Sequence, residues 1–182
     1  MLLVLLLASW CRPAAAEDGP PLDTLLARLA AVPERRTAFR EQRRFAAIDG
    51  VLESSGQLVF RRGHLEKTTT WPQAERLEVD GDRLVLTQGN DAPRVIDMAS
   101  VPELRVLIDA IRGPLSGDAA ALRAAFTATT SGSMAGWTLD LVPRDPAAAR
   151  LLRRVRLEGH EDQPSRLSLV QANGDEQVMT IQ

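Results

Sequence analysis

Apolar residues recur along this chain with two different spacings, and the change of spacing divides it into parts. Leu22, Leu25, Leu26, Leu29 and Val32 share one stripe of a helix that follows Pro20-Pro21 and ends at Pro33. From about Ala38 the period becomes two. That alternation predicts strands near 38–47, 51–62, 65–71, 75–80, 83–89 and 93–98, with turns at Asp49-Gly50, Gly63, Pro72, Asp80-Gly81 and Gly89-Asn90. Asp-Gly between alternating runs is a strong hairpin signal, so the first half reads as a meander of neighbouring antiparallel strands.

The alternation breaks at DMASVPELRVLIDAIRG. Here Ser100 and Glu103 have capping-box spacing, and Val101, Leu104, Leu107, Ile108 and Ile111 form a second helical stripe. Gly113 and Pro114 are expected to stop this helix, and a shorter helical piece is expected from Asp118 to Ala125. The two-residue period then returns near 125–132, 136–143, 152–160, 165–172 and 176–182.

About eleven antiparallel strands in so short a chain must curl, because a flat sheet of that width leaves a face and two edges exposed. The expected fold is mainly β: an incomplete, unclosed antiparallel barrel covered by an N-terminal helix and a central helical insertion. Leu52, Leu58, Phe60, Leu65, Trp71, Leu77, Val79, Leu84, Leu86, Trp137, Leu139 and Leu141 would point mostly inward. Aromatic residues make up only 4% of the chain and tyrosine is missing, which makes a barrel interior harder to fill with side chains and favours a ligand cavity.

The first residues change the compartment. An apolar run from Leu2 to Ala8 leads to Ala14-Ala15-Ala16 before Glu17, the pattern of a secretory signal peptide, although a positive n-region is missing. The expected division is a signal peptide over residues 1–16 and a single domain over 17–182. Cys11 could instead be a lipidation site, but Trp10 before it suits lipoprotein processing poorly. Cleavage after Ala16 leaves no cysteine, so the fold must rest on its core. It also leaves 21 basic and 24 acidic residues, a net charge of −3, which suggests neither nucleic acid nor an anionic membrane surface as partner.

Candidate chemistry is sparse. His64 and His160 stand apart with no metal-ligand spacing, and no metal or cofactor is expected. No Gly-x-Ser-x-Gly elbow or phosphate-binding glycine loop occurs, and turn chemistry accounts for Asp80, Asp82, Asp140 and Asp145. An enzyme is the weaker class. The pairs Arg35-Arg36, Arg43-Arg44, Arg61-Arg62 and Arg153-Arg154 read mostly as solvated strand faces. If Phe60 faces inward, however, Arg61 faces out and Arg62 turns in at the rim, where a guanidinium needs a polar partner.

The order of these features resembles the LolA/LolB family of periplasmic lipoprotein carriers, especially the divergent LolA-like proteins found beside aryl-polyene and related lipid biosynthesis genes. The resemblance rests on the N-terminal amphipathic helix, Phe39 and Gln42 in AFREQRRF, Ser55-Gly56-Gln57-Leu58 leading to Arg61-Arg62, then Pro72 and the Val79-Asp80-Gly81 turn. It implies a monomeric, non-enzymatic carrier in the periplasm of a Gram-negative bacterium. Acyl chains of a lipoprotein or other lipid-like cargo would enter a cavity lined by the inward residues together with Phe39. A lid carrying Leu25, Leu29, Leu104, Leu107, Ile108 and Ile111 would cover them. An inner-membrane exporter would load the carrier and an outer-membrane acceptor would unload it. Arg62 aligns with the arginine of the family's Arg-Pro pair, near the cavity mouth, but Gly63 stands where proline is usual. Two other readings stay open: a cell-envelope assembly subunit gripping a partner protein with its concave sheet, and a lipid-ester hydrolase.

Overall fold

The computed structural model describes residues 19–182. The expected signal segment, with Trp10, Cys11 and the Ala16 cleavage point, lies outside them. Helix α1 (Leu22–Ala30) is followed by strands β1 (Glu34–Arg44), β2 (Val51–Arg61), β3 (His64–Trp71), β4 (Glu75–Asp80), β5 (Arg83–Gln88) and β6 (Arg94–Asp97). A turn of 3-10 helix (Met98–Ser100) leads into α2 (Pro102–Ser116) and α3 (Ala119–Ala125). Strands β7 (Phe126–Ser133) and β8 (Gly136–Pro143), the short helix α4 (Pro146–Ala149), and strands β9 (Leu152–His160), β10 (Gln163–Gln171) and β11 (Glu176–Ile181) complete the chain.

All eleven strands form one antiparallel sheet in the order β6-β5-β4-β3-β2-β1-β11-β10-β9-β8-β7. Strands β6 and β7 are its two edges, so the barrel is not closed, as the family resemblance implies. Every neighbouring pair is also adjacent in sequence except β1 and β11, which run in register from Phe39 opposite Ile181 to Arg44 opposite Glu176. The register carries one face across the whole sheet. Phe39 shares it with Gly56 and Ile181, Leu65 with Phe60 and Val79, and Leu139 with Leu157 and Thr130.

Two apolar clusters fill the concave side. In the larger, Leu25, Leu26 and Leu29 of α1 are fully buried among Phe39, Phe126, Trp137, Leu139, Leu141, Leu152 and Val155. Trp137 reaches its place because Gly159 has no side chain: a Cβ there would stand 2.3 Å from the indole, whose Nε1 donates to the carbonyl of Glu161 at 3.0 Å. The smaller cluster joins Phe60, Leu65, Val79 and Leu84 to Met98 and Ile108.

Three local expectations are corrected. The Ser100 capping box does not form: Ser100 lies inside the 3-10 turn, donating to the carbonyl of Asp97, and α2 begins after Val101 with no side-chain cap. Gly113 and Pro114 do not end α2, which runs to Ser116 and stops at Gly117 in the left-handed region, φ 79°. Pro114 removes a helical N–H without stopping the helix. Strand β1 begins at Glu34 rather than near Ala38, because its first inward residues, Arg35 and Thr37, are polar and hide the alternation.

The burial of α1 separates core from cover. Leu26→Ala is expected to cost about 2–5 kcal/mol, the range for a fully buried leucine. Urea denaturation measures it, and a loss under about 0.5 kcal/mol would mean that α1 is a detachable cover.

Candidate functional site

Between the two clusters the concave face encloses a cavity of about 680 Å³. This is within the roughly 300–1,000 Å³ of pockets that engulf a small molecule. Its walls are Leu58, Phe60, Leu65 and Leu77 from one half of the sheet and Leu157, Leu167, Leu169, Met179 and Ile181 from the other. Helix α2 lies over it with Leu104, Leu107, Ile108, Ile111 and Leu115. Of these five only Ile108 is buried; the others are half-buried, packed against the edges of the two clusters.

The structure therefore divides the expected site residues. Leu58, Phe60, Leu65 and Leu77, with Leu104, Leu107, Ile108 and Ile111, do meet around the cavity. Phe39, Trp137, Leu139 and Leu141 face inward but are consumed by the larger cluster, as are Leu25 and Leu29, which support the cap rather than line the cavity. Val79, Leu84 and Leu86 pack in the smaller cluster. Leu52 and Trp71 stand at strand ends, 62% and 54% exposed. Arg62 does not reach the rim: β2 ends at Arg61, so Arg62 and Gly63 form the turn to β3 and Arg62 is exposed.

Another arginine lies where Arg62 was expected. Arg35 faces inward opposite Phe60 and lines the cavity, with its side chain 14% exposed. Its Nη2 donates to the carbonyl of Leu29 at 2.9 Å, near the C-terminal end of α1, and stands 4.0 Å from Asp162 in the β9–β10 turn. Burial lowers its pKa, and Asp162 opposes that shift. Its Nε is buried without a partner among the described residues. Arg35 thus ties three elements together with one imperfectly satisfied guanidinium.

Two cations of the cavity wall, Arg43 and Lys67, are paired with one buried carboxylate. Glu41 is 4% exposed and accepts from Lys67 and, at 3.2 Å, from Arg43; Lys67 also lies 5.0 Å from the centre of the Phe39 ring. Sequence reading missed this group, although parity carries it: with Phe39 inward, Glu41 and Arg43 are inward too, and Leu65 brings Lys67.

On the convex face His64, Glu66 and Glu78 bring ligand-type atoms within 4.8 Å of one another. Arg76 takes both carboxylates, at 3.1 Å from Glu66 and 2.9 Å from Glu78, and its hydrogen bond is the main cause that lowers the pKa of Glu66. That arrangement is a cross-strand ion ladder away from the cavity.

The fold is a curled, unclosed antiparallel sheet with an apolar cavity beneath a helix. The family model described as outer membrane lipoprotein carrier protein LolA-like matches residues 14–181. The chain belongs to this LolA-like family of binding and carrier proteins. No curated protein sequence matches it. Among solved structures, a LolA superfamily protein from Nitrosomonas europaea is similar at 8% identity, with 88% of this chain and 91% of that one covered and a TM-score of 0.45. A DUF1329 family protein from Desulfovibrio piger shows 8% identity, 88% coverage of each chain and a TM-score of 0.39. MucB, solved in complex with MucA, shows 13% identity, 89% coverage of this chain and 56% of its own, and a TM-score of 0.35. Among the described residues no helix is long and apolar enough to cross a membrane.

Lys67→Met leaves the buried Glu41 carboxylate with Arg43 alone and is expected to cost about 3 kcal/mol. Adding Glu41→Leu should recover at least half of that loss, since the stranded charge goes with it. Urea denaturation of both singles and the double reads the coupling; purely additive losses would refute it.

Proposed function

We propose that this protein is a periplasmic carrier that takes up an acylated or lipid-like cargo beneath α2 and hands it on toward the outer membrane. The observation that carries this reading is the apolar cavity of about 680 Å³, roofed by a helix whose apolar stripe is half-buried. Removing about 16 methylenes from water is worth on the order of 13 kcal/mol, at roughly 0.8 per group. A carrier that kept all of this would not release its load, so part of it must be offset by opening the cover. The residues suit that task. Helix α2 has no side-chain N-cap and contains Pro114, and its leucines gain contacts when the cavity fills. Arg35 holds the end of α1 beside it and serves as the latch of the empty state, at the cavity where the sequence reading placed Arg62.

The first test is whether acyl chains bind. Protein purified without detergent is expected to carry lipid detectable by native mass spectrometry and to bind a fluorescent fatty-acyl probe. Leu58→Glu, which puts a charge in the wall, should weaken the probe at least tenfold while circular dichroism stays unchanged. A wild-type protein that binds no acyl probe and instead co-purifies with a protein partner would replace this reading with that of an assembly subunit.

The second test concerns the latch. Loss of Arg35's contacts removes stabilisation from the closed, empty state and so favours retention of cargo. Arg35→Leu is expected to slow transfer of bound lipid to acceptor vesicles several-fold, and Arg62→Leu to leave it unchanged. Equal transfer rates for the two variants would exclude Arg35 as the latch.

A further inference from the structure

The apolar cavity is not the whole of the hollow. A second chamber of about 710 Å³ lies on the same side of the sheet, and Arg43, Lys67 and Glu75 line both. The two adjoin across these three charged side chains. Where the first is walled by leucines, the second is walled by Glu41, Glu53, Ser54, Thr69, Glu75, Gln88 and Asp91.

Three observations specify what the second chamber would take. Its two cations, Arg43 and Lys67, both contact the buried Glu41. Two further carboxylates that line it, Glu75 and Asp91, have no basic partner among the described residues; Glu75 accepts only from Gln88, at 3.0 Å. Thr69 is 7% exposed and lines this chamber, beside Glu75 in the sheet register, and its hydroxyl makes no hydrogen bond among the described residues. The free acceptors and the negative excess call for a donor-bearing cation rather than an anion, and the adjoining apolar cavity calls for a hydrocarbon chain attached to it.

We propose that the second chamber is a head-group site selecting amphiphiles with a positively charged ammonium head, seated on Glu75 and Asp91 with the Thr69 hydroxyl accepting a further hydrogen bond. This inference rests on the carrier reading for the tail, and it goes beyond that reading in assigning the head.

Three probes of one chain length separate the two. Dodecylammonium, dodecanol and dodecanoate, each below its micellar concentration, are titrated at pH 7 against the protein carrying a fluorescent acyl probe. Dodecylammonium is expected to displace the probe about tenfold more tightly than dodecanol, the effect of one charge-assisted hydrogen bond, with dodecanoate weakest. The double variant Glu75→Gln, Asp91→Asn should reduce that preference to less than threefold while leaving dodecanol unchanged, so dodecanol reports that the fold and the apolar cavity survive. Equal affinity for the three heads, or a preference unaffected by the variant, overturns the head-group site and leaves the carrier standing. Failure of all three probes to bind overturns both.

Discussion

The pairing of β1 with β11 joins strands more than a hundred positions apart, and the other features of the molecule follow from it. Every other strand could pair with its sequence neighbour and leave two separate meanders, one running from β1 to β6 and one from β7 to β11. Once β1 and β11 are zipped together, β6 and β7 become the outer edges of one wide sheet. Such a sheet twists and coils, which brings a concave face into being. The chain must still travel from β6 to β7, from one edge to the other. That connection is α2 and α3, so the topology itself lays a helix across the open side.

Two amphipathic helices then share one sheet but meet it differently. Leu25, Leu26 and Leu29 of α1 fall among Trp137, Phe126 and Leu139 and lose all contact with water. Those of α2 meet a hollow walled by Leu58, Phe60, Leu65 and Leu77 on one flank and by Leu157, Leu167, Leu169, Met179 and Ile181 on the other. The scarcity of aromatics matters here. With Phe and Trp making up only 4% of the chain and tyrosine missing, and with Phe39, Phe126 and Trp137 placed on the α1 side, little bulk remains for the other side. Dispersion and burial that would otherwise complete the core are left for another molecule to supply.

The sequence disclosed architecture better than it disclosed the site. Period-two alternation and Asp-Gly turns located the strands within a few residues, since each rests on local steric rules that the surroundings seldom override. Parity also predicted correctly that Leu58, Phe60, Leu65 and Leu77 face inward. It could not tell a filled interior from an empty one: Trp137 and Leu139 carry the same signal as Leu58, and only the position of α1 decides between them. Arg62 failed for a different reason, as the strand ended one residue before it and alternation has no meaning inside a turn. Arg35 and the Glu41–Lys67 pair were hidden because charged side chains on an inward register break the hydrophobic pattern by which that register is recognised.

The hollow also has a mechanical meaning. A void occupies volume that the unfolded chain does not, so hydrostatic pressure works against the empty form in proportion to the space it encloses. A molecule that filled the hollow would remove much of that lever without altering the sheet. Compression thus acts through enclosed volume, a property on which heat and urea do not act directly.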